Sequence, residues 1–577
     1  MRRPACLIVP ALLAWPLAGL AQEPGAFRDR VDVEVVNIDV AVTDRSGQSV
    51  RNLGRDDFRL VVDGDKVPIR YFDPPAEESG RRESLVLMVD DRHLAPDAKR
   101  LALGELEAPL LALARTGCQI QIVSFEGTLR VLQRFTVDGD AIRVGLARAT
   151  RSGNEASQRM WRERQSAVDY VVSNLTSFSR TPPEELIEQT YKAVLSQLRD
   201  YAQYEHEDGK ELVGALQLTL ASLGGVPGHK TVILLSDGFA IQPVDKVFDR
   251  FARFEKRLSQ TDPTEVRAPE DLRIGQRPVF SQSIVPKGAQ DWRRGYEDLD
   301  IVDDVLALGT LANAGRVTVH TVPLTPTFLI EVERGLRVEL GQERFVISDL
   351  DESLAMIANA TGGRAHDRAG DLAAFVADTL EDIPGTYSLG FAPPVADAEH
   401  HEVKVRVKGR GLRTRHRPGY VARRFEQRLG ARTLAALTLD MVDNPHGLGI
   451  RIEGLEPLAE GVQRVSIVAE VPIDALELTS DGSRHFADLW AAATFLDPAT
   501  GGVGDMRTVQ ASLVIPDEDL ETALAQSFGA VLSLRMPAGR MPTAIGIWNR
   551  TSGRSSFIAG NVDVLPPPPG PPDPGSD

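Results

Sequence analysis

The sequence predicts an α/β fold: a doubly wound, mainly parallel sheet of Rossmann type, flanked by an N-terminal small β-domain and a C-terminal β-sandwich. Three observations predict it. Two unbroken apolar runs, Leu85 to Val89 and Thr231 to Leu235, end at acids, the first at Asp90 and the second, after Ser236, at Asp237. Runs without polar alternation are what a parallel sheet covered on both faces requires. Stretches of helical spacing lie around and between them, whereas both ends of the chain show short alternating strands broken by Asp/Gly turns.

The chain has 577 residues, too many for one core. Residues 1–21 have the form of a secretory signal peptide: Arg2 and Arg3, an apolar stretch from Ala5 to Leu20, and small residues at Gly19-Leu20-Ala21, with cleavage expected after Ala21. Pro10, Pro16 and the shortness of the run argue against an uncleaved anchor. No later stretch is apolar and long enough to span a bilayer, so the mature chain is expected to have no transmembrane segment. Cys6 leaves with the signal, and Cys118 alone cannot form an internal disulfide; beside Gly117 at a strand start it is expected as a small buried thiol. The formal charge is −17, and loss of Arg2 and Arg3 makes it more acidic, which disfavours nucleic acid as a partner.

The small β-domain is expected over residues 31–75: Val31, Val33 and Val35, then Ile38, Val40 and Val42, a turn at Asp44-Arg45-Ser46-Gly47, and a strand Phe58 to Val62 closing at Asp63-Gly64. A polar, proline-broken linker follows. The α/β domain is expected over residues 83–422. Its first strand ends at Asp90, and Pro96 opens a helix that runs through Ala114 and stops at Gly117. Cys118 to Phe125 and Leu129 to Phe135 suggest a hairpin, and Asp138 is placed to cap the next helix. Helical spacing over Glu184 to Leu223 precedes the Asp237 strand; after it come a helix over Ile301 to Ala314 and a strand over Val317 to Val322. Helices over Asp351 to Ala360 and Asp371 to Glu381 then lead to a strand over Thr386 to Phe391.

Two polar insertions, near residues 151–181 and 240–298, are longer than connecting loops usually are. The second carries Val247, Phe248, Phe251, Phe254 and Leu258 at amphipathic spacing. Val403, Val405 and Val407 alternate with Lys404, Arg406 and Lys408, as expected of a half-buried edge strand with a basic outer face. Residues 430–564 are expected as a β-sandwich with strands near Val465 to Val471, Trp490 to Leu496, Ala511 to Ile515, Val531 to Met536, Ala544 to Trp548 and Ser556 to Val562. The proline-rich tail, 565–577, is expected to be extended and disordered.

Ligands of parallel α/β sheets sit outside the carboxyl ends of the strands, so Asp90 and Asp237 share the candidate rim. Two acids there suggest a cation site; equally, they can hold Arg92 or cap neighbouring helices. His400 and His401 lack companions for a zinc site. No Gly-x-Ser-x-Gly, phosphate loop, His-Glu-x-x-His or paired Cys motif occurs, and Asp56-Asp57 and Asp303-Asp304 are acid pairs by count alone.

The segment Leu85 to Pro394 resembles a von Willebrand factor A domain, and specifically the VWFA-related family of exported bacterial proteins. The resemblance rests on residues preceding the domain, Val40-x-Val42-x-Asp44-x-x-Gly47-x-x-Val50-x-x-Leu53 with Asp57-Phe58 and Asp63-Gly64. It rests also on Pro227-Gly228-His229-Lys230-Thr231 with Leu235-Ser236-Asp237-Gly238, on Ala312 to Val319, and on Thr361-Gly362-Gly363-Arg364. Tyr387-Ser388-Leu389-Gly390-Phe391 and Arg417-Pro418-Gly419-Tyr420 complete the series.

In metal-binding members the first strand ends in Asp-x-Ser-x-Ser, whose hydroxyls ligate a divalent cation. Here that motif is Asp90-Asp91-Arg92-His93-Leu94, with Arg92 and Leu94 in place of the serines. The resemblance therefore implies a degenerate metal-ion-dependent adhesion site, whose candidate ligands are Asp90, Asp91 and Asp237 for Mg²⁺, Mn²⁺ or Ca²⁺. A guanidinium cannot ligate a metal, and Arg92 would repel one. The expected function is non-enzymatic recognition: an exported protein, periplasmic or secreted, that binds another protein or an envelope polymer. The alternatives are a structural scaffold of the envelope without a saturable ligand and a hydrolase using paired acids.

Overall fold

The computed structural model describes residues 35–75, 83–153, 184–241, 299–324, 343–367, 370–393, 399–421, 424–458 and 461–565. The expected signal peptide, the cores of both insertions (154–181 and 242–298) and the proline-rich tail from 566 lie outside them. Among the described residues no helix is long and apolar enough to cross a membrane.

Four short strands open the chain: β1 (Val36–Thr43), β2 (Phe58–Val62), β3 (Asp65–Val67) and β4 (Tyr71–Asp73). The α/β region then begins with β5 (Glu83–Asp90), α1 (Pro96–Arg115), β6 (Gln119–Phe125), β7 (Leu129–Thr136) and α2 (Gly139–Arg151). It continues with α3 (Glu184–Leu223), β8 (His229–Leu235), α4 (Val302–Gly315), β9 (Val317–Val322), α5 (Glu343–Thr361) and α6 (Leu372–Asp382). Its sheet has the order β7-β6-β5-β8-β9. β5, β6, β8 and β9 run parallel, and β7 pairs antiparallel with β6 as the second arm of a hairpin.

Every residue of β5 and β8 is buried, which explains why their sequences lack polar alternation. Successive residues of β5 enter different cores. Leu85, Leu87 and Val89 pack with Leu103 and Leu106 of α1, Ile142 of α2 and Val376 of α6. Val86 and Met88 pack with Leu212 and Leu216 of α3, Val305 and Leu308 of α4 and Ile357 of α5. Each such fully buried side chain contributes about 1.5–3 kcal/mol relative to exposure. The helix starts follow local chemistry: Pro96 stands in the first turn of α1, and the carboxylates of Asp138 and Asp371 cap α2 and α6 by accepting from the backbone of Asp140 and Ala374. Cys118 is buried, and that burial pushes its thiol up to about 12, far from the range of a nucleophile.

One departure from the expected organisation concerns the end of this region. Residues 387–421 form β10 (Tyr387–Phe391), β11 (His400–Val407), β12 (Arg413–His416) and β13 (Gly419–Val421), and these strands return to the first four. The two resulting sheets have the orders β12-β1-β10-β4 and β13-β11-β2-β3. β10 therefore belongs beside β1, not in the parallel sheet. Its apolar side chains decide this: Tyr387, Leu389 and Phe391 complete a core with Ile38, Val40, Phe58 and Leu60. The Tyr387 ring lies 5.0 Å from that of Phe58, and its hydroxyl donates to Val50 O at 2.8 Å. β13 pairs with β11 over His400 to Glu402 and β2 over Val403 to Val407, so the basic stretch has a strand partner in β2; its residues Lys404 and Arg406 are exposed, as the alternation predicts.

The C-terminal region opens with a helix the sequence does not announce, α7 (Phe425–Thr438), rich in small residues and buried at Leu429, Thr433 and Ala436. Then follow β14 (Gly449–Pro457), β15 (Val462–Pro472), β16 (Thr479–Ser480), β17 (Arg484–Phe495) and β18 (Arg507–Pro516). A short helix, α8 (Leu520–Leu524), precedes β19 (Ser527–Pro537), β20 (Gly539–Asn549) and β21 (Arg554–Val564). One sheet is β14-β15-β19 and the other β16-β17-β20-β21 with β18 on β17. Ile467 and Leu532 of the first share a core with Leu489, Ile545 and Val562 of the second. The chain is thus a mixed α/β structure with several sheets, one of them built on parallel strands.

Candidate functional site

The parallel pairing of β5 with β8 sets Val89 opposite Leu235. Asp90 consequently lies beside Ser236, and Asp237 one residue beyond, so both acids stand at the same carboxyl end. Asp90 is buried and saturated with donors. One carboxylate oxygen accepts from the amides of Arg92 and His93, at 3.2 and 3.3 Å. The other accepts from Ser236 Oγ at 2.6 Å and contacts His93 Nδ1 at 2.7 Å.

His93 does not stop at Asp90. Its Nε2 lies 2.5 Å from Oδ2 of Asp208, a buried acid of α3. The other oxygen of Asp208 accepts from Arg92 Nε, and Arg92 Nη1 reaches Glu211 one turn further along α3. Burial alone would lower the His93 pKa, but the charges of Asp90 and Asp208 outweigh it and raise it to about 10. At neutral pH the ring is an imidazolium with both nitrogens engaged. It has no basic lone pair to offer as a general base.

Asp91 turns to the opposite side. Its Oδ1 accepts from Lys99 Nζ at 2.6 Å, and both side chains are buried. Lys99 also reaches the carbonyl of Ser152. Asp91 Oδ2 is buried with no hydrogen-bond partner, and burial raises the Asp91 pKa against the partial offset of Lys99. Asp237 Oδ1 accepts from the Leu324 amide at 2.9 Å, just beyond β9.

The turn after Asp237 depends on Gly238. Its φ is +83°, and an added Cβ would lie 2.3 Å from Leu350 O. Gly64 shares the left-handed conformation (φ +91°) but has open space around it. Gly238→Ala is therefore expected to cost at least about 2 kcal/mol and Gly64→Ala about 1 kcal/mol, read as separate urea midpoints. Equal losses at the two positions would contradict the close approach to Leu350.

The structure thus brings Asp90, Asp237, Arg92 and His93 to one rim and separates Asp91 into its own ion pair. Sequence reasoning missed Asp208, Glu211, Ser236 and Lys99. The only signal for the first two was acid spacing of three along α3, which any solvated helix face shows. Asp56 and Asp57 begin a one-turn helix, with Asp57 bonded to the Gly54 amide, while Asp303 and Asp304 lie in the first turn of α4; both pairs are helix-start acids. His401 pairs with Asp63 at 2.7 Å and stacks on Tyr420.

The residues at the rim do not fit a divalent cation as they are arranged. A metal bound to Asp90 would have to displace His93 and Ser236 and would face the Arg92 guanidinium. Hard cations such as Mg²⁺ and Ca²⁺ need six or more oxygen ligands, and among the described residues no group of three or more His, Cys, Asp or Glu side chains could hold a metal ion.

No protein-family model matches the chain, and no curated protein does. Among solved structures it is similar to von Willebrand factor type A from Catenulispora acidiphila, with 7% sequence identity, covering 93% of this chain and 75% of that one, at a TM-score of 0.22. At that score no residue role passes from one to the other.

Proposed function

We propose that the chain is an exported, non-enzymatic recognition protein that uses the carboxyl rim of its parallel sheet to bind another protein or an envelope polymer, without a metal bridge. The observation that supports this is the network Asp90–His93–Asp208–Arg92, in which the protein's own cations stand where the resemblance implies a metal. A surface held by fixed ion pairs is preorganised, so binding loses little further entropy in ordering it. The half-exposed Glu211, held by the largely buried Arg92, supplies the charged edge of this network that reaches solvent.

Two measurements test this reading. Calorimetric titration of the mature protein with Mg²⁺, Mn²⁺ and Ca²⁺ is expected to give flat traces for wild type and for Asp90→Asn/Asp237→Asn alike. A saturable heat that the double variant abolishes would restore the metal-bridged mechanism. Capture from envelope extracts is expected to be saturable for wild type and at least about tenfold weaker for Arg92→Glu, the scale of one lost charged contact at an interface. Saturable capture unaffected by Arg92→Glu would place the binding surface away from this rim and overturn its role; no capture by either protein favours the scaffold, and turnover of an envelope polymer would favour the hydrolase.

A further inference from the structure

The sheet β13-β11-β2-β3 turns one face to the core it shares with β1 and β10 and the other to solvent. Period-two alternation sorts the side chains between them. Phe58, Leu60, Val62, Val403 and Val405 are buried, whereas Arg59, Lys66, Lys404 and Arg406 are exposed. Strand register then gathers the cations. Arg59 stands directly opposite Arg406, and Val61 is flanked across its two neighbouring strands by Lys404 and Lys66. Lys408, two residues beyond Arg406 and also exposed, extends the row.

This face has almost no counter-charge of its own. Glu402 pairs with Lys404 at 2.8 Å, but the side chains of Arg59, Lys66, Arg406 and Lys408 have no hydrogen-bond or ion-pair partner among the described residues. Like charges directly opposite on paired strands repel. In a chain of formal charge −17, carboxylates are plentiful, and this patch of cations is nevertheless left unpaired.

Protection of a sheet edge does not account for it. β2 is paired on both sides, by β11 and by β3. On the other side of β11, the Val405 amide donates to His416 Nε2 and the Val405 carbonyl accepts from Thr414 Oγ1, both at 3.1 Å. Little free backbone is left there for a charge to guard.

What the face lacks selects the partner. None of the large apolar side chains exposed elsewhere among the described residues lies on it, so it offers neither the apolar centre of a protein interface nor a side chain to insert into lipid. The acidity of the whole chain opposes nucleic acid. Cations roughly 7 Å apart along β11, with Arg59 one strand away, instead match a linear, hydrated polymer carrying carboxylates at intervals, each of which a guanidinium can hold through two N–H groups.

We infer that the outer face of β2 and β11 binds an anionic polysaccharide, with Arg59 and Arg406 at the centre and Lys66, Lys404 and Lys408 around them. This face belongs to a different sheet from the rim and would act whatever the rim binds.

Polygalacturonate, a linear chain with one carboxylate per sugar, is the probe. Fluorescence anisotropy of the labelled polymer with the mature protein is expected to show saturable binding in 50 mM NaCl that weakens at least about tenfold in 200 mM, as counterion release and screening demand. Arg59→Gln/Arg406→Gln should lose at least about tenfold in affinity at the lower salt. Its urea midpoint should be no lower than that of wild type, because the change removes two repelling neighbours. Arg451→Gln/Arg464→Gln makes the same change of net charge on the C-terminal sheet and is expected to bind as wild type does. Absence of saturable binding by wild type, undiminished affinity in Arg59→Gln/Arg406→Gln, or equal losses in the two double variants overturns the assignment. Binding to phosphatidylglycerol vesicles with none to polygalacturonate overturns it in favour of a membrane surface.

Discussion

Lys99→Met is expected to destabilise the protein by about 3–5 kcal/mol, the cost of leaving one member of a buried ion pair without its partner. Lys99 and Asp91 are both almost wholly removed from solvent and meet at 2.6 Å. The second oxygen of Asp91 already has no donor, so the lysine is the main source of compensation for that carboxylate. Burial already raises the Asp91 pKa, and removing Lys99 would raise it further. The native state of the variant then holds a proton on Asp91 that the unfolded chain releases, so its stability should recover as pH falls toward the carboxylate range. Urea unfolding of Lys99→Met, Asp91→Asn and the double variant checks this. The double variant, which buries no lone charge, should regain much of the loss; if it is as unstable as Lys99→Met, the ion pair is not the cause.

Stability should also fall steeply in mildly alkaline solution, through His93. Burial opposes its protonation, the Asp90 and Asp208 charges prevail, and the folded pKa is about 10 against about 6.5 for an unperturbed imidazole. Because the folded value is the higher one, the native state binds the proton more tightly. The stabilisation is complete below about pH 6.5 and is lost as pH rises through about 10, a change on the order of 5 kcal/mol. Urea midpoints from pH 6 to 10.5 should fall in wild type and much less in His93→Gln. Where that variant folds poorly, histidine-labelled wild type gives a second measurement, since the His93 resonance should not titrate between pH 5 and 8. A ring that titrates near 6.5 would remove both the pH effect and the argument that a fixed imidazolium occupies the rim.

Much of the parallel sheet is legible in the sequence because burial on both faces is a local demand. Leu85 to Val89 and Thr231 to Leu235 can satisfy it only as covered strands, and they are neighbours in the sheet. The destination of Tyr387 to Phe391 is not legible in that way. A short buried strand looks the same whichever sheet receives it, and the choice rests on Ile38, Val40 and Phe58, more than three hundred residues earlier. Helix α7 escapes for a related reason: its buried face is made of Ala, Gly and Thr as well as Leu, so apolar periodicity is weak and its contacts rely on close approach. Gly225 shows how close, since a Cβ there would lie 2.6 Å from the backbone of Arg432.

By itself, the sequence determined that Asp90 and Asp237 follow buried strands, that Arg92 and Leu94 rather than hydroxyl residues follow Asp90, and that the ends of the chain alternate as half-buried strands do. Tertiary structure decided where each charge is neutralised. Asp208 comes to His93 from 115 residues away and Lys99 turns Asp91 aside, because a buried charge takes whatever counter-charge the packing brings within reach, and that distance is set by the crossing of elements rather than by spacing along the chain.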